Sequence, residues 1–324
     1  MLSRRGWLSA ALPALCAVAV VGCGSSSSSS SSSAASSSAA TSSSSSAVAS
    51  SMSSSGTGAS SAPGAVAAVE KLVPPSIRAK GTLTVAADAS YAPDEFIAPD
   101  GHTVIGMDAD LSKALGAVMG LKVNVVNVTF DEIIPGLAAG KYDMGASSFS
   151  DTPAREKVVN FVDYAHVGES FYTKANGGKT IGSIADICGL TVSVESTTTE
   201  QADATTQSKK CTQEGKPPVK VLVFPNQNLA NLAVADGRAQ LGFADTPVAS
   251  YQVQKTHGLF KLTGAPYATG PYGLALPKKP DLAPAVQAAL KVLAANGTYA
   301  RILAKWGLQG IAIPASQMKI NGAG

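Results

Sequence analysis

The side chains of this sequence best suited to covalent or metal chemistry are four cysteines and three histidines, and their spacing decides between those uses. Cys188 and Cys211 lie in the globular part of the chain, whereas Cys16 and Cys23 lie in or beside an N-terminal apolar run. A structural zinc site would need two more ligands near Cys188 and Cys211. In an exported chain the two are expected to join as a disulfide, worth roughly 3 kcal/mol by loop closure. Two unpaired buried thiols are the other reading. His102, His166 and His257 are scattered and none belongs to a metal-spaced cluster. No Gly-x-Ser-x-Gly elbow and no phosphate loop occurs. No metal, no cofactor and no catalytic residue is therefore expected. Removing Arg4 and Arg5 from a net charge of +3 leaves +1, so composition offers no basic patch for nucleic acid.

The N-terminus reads as an address and an anchor. Arg4 and Arg5 form a basic region ahead of an apolar run from Trp7 to Val21, too short for a comfortable membrane span, so residues 1–22 are expected to be a signal peptide. The run ends in Val20, Val21, Gly22 and Cys23, which resembles the lipobox of bacterial lipoproteins, with Val20 where those proteins prefer Leu. That resemblance implies lipidation of Cys23. The alternative is ordinary cleavage near Gly22 and an exposed thiol. From Ser25 to Ser61 the chain is nearly all Ser, Ala, Gly and Thr. No apolar face can be drawn through such a stretch, so residues 23–75 are expected to form a flexible tether, the Ser25 to Ser61 run alone having a reach on the order of 35 Å.

The elements that would position any site begin at Leu83. Leu83 to Ala87 and Val123 to Val128 read as strands, Asp108 to Met119 and Asp131 to Ala139 as helices, and Tyr142 to Ala146 as a third strand. Gly140 stops the second helix. A second block repeats the pattern. Its strands are Thr191 to Glu195, Val219 to Phe224 and Gln240 to Ala244, with helices Thr199 to Lys209 and Leu229 to Asp236 between them. Strand Tyr272 to Leu276 and helices Leu282 to Ala295 and Tyr299 to Trp306 follow. The predicted class is α/β, with two lobes, each a mainly parallel sheet flanked by helices, and a cleft at the carboxyl ends of both sheets. Residues 76–172 with 268–324 are assigned to lobe 1 and residues 173–267 to lobe 2.

An ordered set of motifs then resembles the family 3 solute-binding proteins of bacterial polar amino acid ABC transporters, which have the type II periplasmic-binding-protein fold. The likeness covers about Leu83 to Leu308. It is carried by Leu83 to Phe96, with Asp88, Tyr91, Pro93 and Glu95. Gly106-Met107-Asp108 follows, where the family usually has Phe in place of Met107, and then Ile134 to Asp143. Ser147 to Glu156, Val159 to Phe161, Thr197 to Thr199 and Gly242 to Asp245 complete the set.

The resemblance implies a site. Arg155 would clamp the α-carboxylate of an amino acid, a role suited to the planar guanidinium fork. Ser147, Ser148 and Ser150 would help at that end, and Thr198 and Thr199 would bring a helix N-terminus to the same carboxylate. Asp245 would pair with the α-ammonium. Asp88, Tyr91 and Phe130 would contact the ligand side chain. Glu195 departs from the family, standing where many relatives carry a neutral or basic residue, and with Asp88 it would make an acidic wall suited to arginine or lysine. Several local readings stay open. Arg155 also fits a surface position after Pro153, Asp245 a helix cap before Pro247, the serines ordinary turns, Phe130 pure core, and Glu195 a solvated face.

As a member of this family the chain is expected to be the substrate-binding receptor of an importer. Its partners would be a free amino acid, a membrane permease and, through Cys23, the outer face of the cytoplasmic membrane. It is expected to act as a monomer and not as an enzyme. The alternatives are a dehydratase on the same fold, of the cyclohexadienyl or arogenate type, and a ligand sensor feeding a membrane partner.

Overall fold

The computed structural model describes residues 63–323. The expected signal peptide, the expected lipidation at Cys23 and the Ser-rich stretch lie outside the described residues. The first described element corrects the expected tether. Helix α1 (Pro63–Leu72) packs on the folded part, with Val69 and Val73 buried. Those two valines, one helical turn apart, give the segment an apolar stripe that the preceding Ser-rich run lacks.

Helix α2 (Pro75–Lys80) leads into strand β1 (Thr82–Ala87). A small antiparallel sheet follows, built from β2 (Ser90–Tyr91), β3 (Glu95–Ile97) and β4 (Val104–Ile105). Helix α3 (Met107–Val118) then crosses to β5 (Lys122–Asn127), and α4 (Phe130–Ala138) crosses to β6 (Met144–Ser150). Leu111, Leu115 and Val118 of α3 are buried, as their helical spacing requires. Strand β6 starts two residues later than expected, with Tyr142 outside it but buried. β1 pairs in parallel with β5 on one side and with β6 on the other.

After the short helix α5 (Pro153–Glu156) comes β7 (Val159–Lys174), 16 residues long. The second block holds β8 (Thr191–Glu195), α6 (Thr199–Gln213), β9 (Lys220–Phe224), α7 (Gln227–Ala235) and β10 (Leu241–Asp245). β8 pairs in parallel with both β9 and β10, repeating the arrangement of the first block. Helix α8 (Thr246–Lys255) precedes β11 (Phe260–Pro277), 18 residues long, and α9 (Ala283–Ala295) and α10 (Thr298–Trp306) return to the first lobe. Leu290, Leu293 and Leu303 share its core with Leu83, Val85 and Leu111. Cys188 and Cys211 are joined as a disulfide, bordering the core of the second lobe. Among the described residues no helix is long and apolar enough to cross a membrane.

The two lobes share one eight-stranded sheet, in the order β5-β1-β6-β11-β7-β10-β8-β9. β7 and β11 run antiparallel through both lobes, with register shifts in β11 between Thr263 and Gly270. Near its C-terminal end β11 pairs with β6, and β7 residues Glu169 to Tyr172 pair with β10. By pairing, Glu169 to Tyr172 therefore go with the second lobe, a few residues before the expected division at residue 172. Of these two strands the sequence indicated only Tyr272 to Leu276. Gly264, Pro266, Gly270 and Pro271 in β11 read as turns, and the apolar pattern of β7 breaks at His166, Gly168 and Glu169.

Candidate functional site

In a parallel sheet whose first strand lies between its two successors, the crevice opens at the carboxyl ends of the strands where the chain departs in opposite directions. Both lobes have that arrangement. Asp88 directly follows β1, and Ser147, Ser148 and Ser150 are in the last four residues of β6. Glu195 ends β8, Thr198 and Thr199 start the next helix, and Asp245 ends β10. With Tyr91, Phe130 and Arg155 they line one cavity. The structure thus brings together every residue expected at the ligand site. It adds Glu200, an acidic residue in the first turn of α6.

Arg155 is held from both sides. Its backbone N–H donates to the Thr152 hydroxyl at 3.3 Å, which caps α5. Its Nη1 donates to the Ser150 carbonyl in the first lobe at 2.8 Å, and Nη2 donates to the Thr197 carbonyl in the second at 3.0 Å. The guanidinium carbon lies 5.4 Å from the Phe130 ring and 5.5 Å from the Phe149 ring, two rings that stack at 4.5 Å. Phe130 is therefore both core and platform, packed with Ile133 and Phe149 beneath the cation. Burial lowers the Arg155 pKa from its ordinary value, and the carboxylates of Glu200 and Asp245 oppose the shift.

Two acidic poles face this cation. At the first, Asp88 Oδ1 accepts the Ser90 N–H and Oδ2 the Phe130 N–H, each at 3.0 Å. Glu195 is only 2% exposed, which removes the solvated-face reading, and its Oε1 has no partner within the protein. Burial raises the Asp88 pKa. Burial and the neighbouring Asp88 push Glu195 well above the usual carboxylate range.

At the second pole the Tyr91 hydroxyl donates to Asp245 Oδ2 at 2.9 Å. Asp245 stands at the cap position of α8 yet its side chain makes no capping bond, so the helix-cap reading fails. Its Oδ1 has no partner, and burial, with the charge of Glu169 added, pushes its pKa up to about 8. Glu200 accepts from the Thr199 hydroxyl at 3.3 Å through Oε2, while its Oε1 is buried without a partner. Burial and Asp245 drive Glu200 well above the carboxylate range. Buried carboxylate oxygens without donors are costly, and ligand N–H groups would complete them.

The serines act differently from one another. Ser147 Oγ accepts the Asp88 N–H at 2.9 Å and donates to Glu95 Oε1 at 2.9 Å, so its hydroxyl is engaged inside the lobe. Ser148 takes a left-handed backbone, with φ of 49°. It is held there by its N–H to Asp108 Oδ2 at 2.8 Å and its hydroxyl to Asp94 Oδ2 at 2.9 Å. What Ser148 can offer the cavity is backbone. Ser150 and Thr199 hydroxyls meet across the lobes at 3.3 Å. Thr198 caps α6 by accepting the Gln201 N–H at 3.2 Å. Asp94, Glu95 and Asp108 form a buried acidic layer beneath the serines that the sequence reading did not assign. Burial and their mutual charge raise Asp94 and Glu95 well above the carboxylate range, and burial raises Asp108 to about 6.

The sequence model of the bacterial extracellular solute-binding proteins, family 3, matches residues 83–309. Over 242 residues the chain is 35% identical to the arginine-binding protein ArgT of Corynebacterium glutamicum, covering 74% of this chain and 79% of that one. It is 30% identical to the ABC transporter arginine-binding protein 1 of Escherichia coli, covering 67% of this chain and 87% of that protein. Among solved structures it is similar to an ancestral arginine-binding protein bound to arginine. That match has a TM-score of 0.64 and 32% identity, and covers 70% of this chain and 98% of that one.

Proposed function

The chain belongs to the bacterial extracellular solute-binding proteins of family 3, and from that premise we propose that it captures a basic amino acid, arginine or lysine, for an ABC importer. The observation that carries this reading is one half-buried cation set beside two acidic poles in a single cavity. In this reading Arg155 takes the α-carboxylate, with the N-terminus of α6 beside it. Asp245 and Glu200 take the α-ammonium, and Asp88 and Glu195 take the cationic end of the side chain. A neutral or acidic side chain would leave the first pole uncompensated, so the same arrangement disfavours it. The arginine-binding names of two relatives at 35% and 30% identity support the same ligand class.

The ligand touches both lobes at once, so it favours the closed form over the open one. The closed form docks on a membrane permease, while the N-terminal segment holds the receptor to the outer face of the cytoplasmic membrane through lipidated Cys23. The ligand leaves chemically unchanged, as the receptor has no catalytic role. Titration calorimetry with arginine, lysine, glutamine and glutamate tests the reading. Arginine or lysine should bind with micromolar affinity or better, about 8 kcal/mol. Tight glutamate binding with no arginine binding would overturn it, and mass spectrometry showing a converted ligand would overturn the non-enzymatic part.

A further inference from the structure

Beside the amino acid cavity lies a second chamber, partly open to solvent, for which the proposed function has no use. The two share Ser150, Thr199 and Asp245 as walls, with the Ser150 and Thr199 hydroxyls 3.3 Å apart between them. Four carboxylates line the second chamber, those of Asp151, Glu169, Asp203 and Asp245, and no Lys, Arg or His does. Glu169 is the telling member. It sits on β7 opposite Asp245 of β10 and Tyr267 of β11, is 4% exposed, and its Oε2 has no hydrogen-bond partner within the protein. Asp151, also 4% exposed, spends Oδ2 on the Gly322 N–H at 2.9 Å and is paired with the neighbouring Asp163 carboxyl, so it is a wall of the chamber and not a free acceptor. An unpartnered acceptor as deeply buried as Glu169 Oε2 calls for a donor from a bound cation. Among the described residues no three carboxylates converge closely enough to hold a metal ion, which points to a larger cation carrying several N–H donors.

We propose that this side chamber binds a small organic ammonium ion alongside the amino acid in the neighbouring cavity, with Glu169 and Asp203 as its principal carboxylates. Asp151 comes from the first lobe and Asp203 from the second, so the bound cation also favours the closed form. Charge supports the assignment. Burial and the neighbouring Glu200 push Glu169 up to about 9, and the charge of a bound cation would oppose that shift.

The test is a thermal-shift titration of the full chain saturated with arginine, in buffer whose only other cation is tetramethylammonium, which has no N–H donor. Methylammonium, putrescine, sodium and potassium are added separately. Methylammonium or putrescine should raise Tm further, by about 3 °C at tenfold excess over its Kd. That increment should vanish in Glu169→Gln and in Asp203→Asn, with arginine affinity within about threefold of the parent. Asp203→Asn alters a half-buried helix position, so it serves should Glu169→Gln fail to fold. No increment, an equal increment in both variants, or an increment from sodium or potassium alone would overturn the proposal. So would an amine that competes with arginine, because it would be occupying the main cavity. If arginine itself gives no shift, the reading of the main cavity fails, and the amine titration of parent and variants without arginine still decides the chamber.

Discussion

The Tyr91 hydroxyl and Asp245 are joined twice: the hydroxyl donates to Oδ2 at 2.9 Å and accepts the Asp245 backbone N–H at 3.1 Å. The two residues belong to different lobes, so the pair is a latch across the cleft. Each bond is worth about 1 kcal/mol net. Tyr91→Phe should therefore weaken arginine binding about tenfold and enlarge the radius of gyration of the arginine-free protein in small-angle scattering. Unchanged affinity would mean that closure is not held at this contact.

Arg155 bridges the Ser150 and Thr197 carbonyls through two different nitrogens, a geometry lysine cannot reproduce. Arg155→Lys keeps the charge and loses the fork. Calorimetry should show arginine binding weakened about 100-fold, the scale of a lost charge-assisted bidentate pair. Removal of the side chain altogether should also lower Tm by a few degrees, because Phe130 and Phe149 lose the group that covers them. Full affinity in Arg155→Lys would assign the carboxylate to another group.

In the proposed reading the first acidic pole sets ligand class. Glu195→Gln keeps the volume and removes one charge from the wall it shares with Asp88. The ratio of arginine to glutamine affinity should fall at least tenfold, through loss of arginine affinity. Asp88→Asn should act in the same direction but also lower stability, since both Asp88 oxygens accept backbone N–H groups. A ratio unchanged in both variants would remove these carboxylates from ligand recognition.

Burial raises Asp245 to about 8 and Glu169 to about 9, whereas carboxyls of the unfolded chain titrate near 4. Between those limits the folded protein holds protons that the unfolded chain has lost. Stability from these groups is therefore fully present below about pH 4 and declines as pH rises towards 8 and 9. The ligand-free protein should melt higher at pH 5.5 than at pH 8.5. A cationic ligand favours the ionised carboxylates, so binding should release protons and tighten with rising pH. Calorimetry in buffers of different ionisation enthalpy reads that release directly, and proton uptake on binding would contradict the account.

The disulfide closes a loop with a sequence separation of 23, and neither Cys188 nor Cys211 lines the ligand cavity. Replacing both by Ser should cost roughly 3 kcal/mol of stability while leaving arginine affinity within about twofold. A large loss of affinity would tie the loop to the cavity.

Much of the site was legible because of where α/β sheets put their crevices. Asp88, Glu195 and Asp245 stand at strand ends, and a short apolar strand followed by a polar residue is visible in sequence. The acidic layer of Asp94, Glu95 and Asp108 was not, since a charged residue in sequence is read as solvated until its neighbours are known. Glu200 was hidden by a similar habit, an acid in the first turn of a helix being ordinary. Glu169 could not be placed because β7 itself was not recognised. Val69 and Val73 were absorbed into the tether because two apolar residues carry little weight beside a long Ser-rich run.

β7 and β11 also set the mechanics of the receptor. A two-stranded ribbon flexes readily across its face but resists sliding within its plane, where the ladder of hydrogen bonds would have to break. The register shifts between Thr263 and Gly270 thin that ladder at the crossing, which concentrates compliance there. Such a ribbon confines the lobes to one soft coordinate, much as a leaf spring confines its load. In the proposed reading a permease would need only a torque across that spring to eject the ligand. Stiffening the crossing would slow capture and release together, without altering any atom that touches the amino acid.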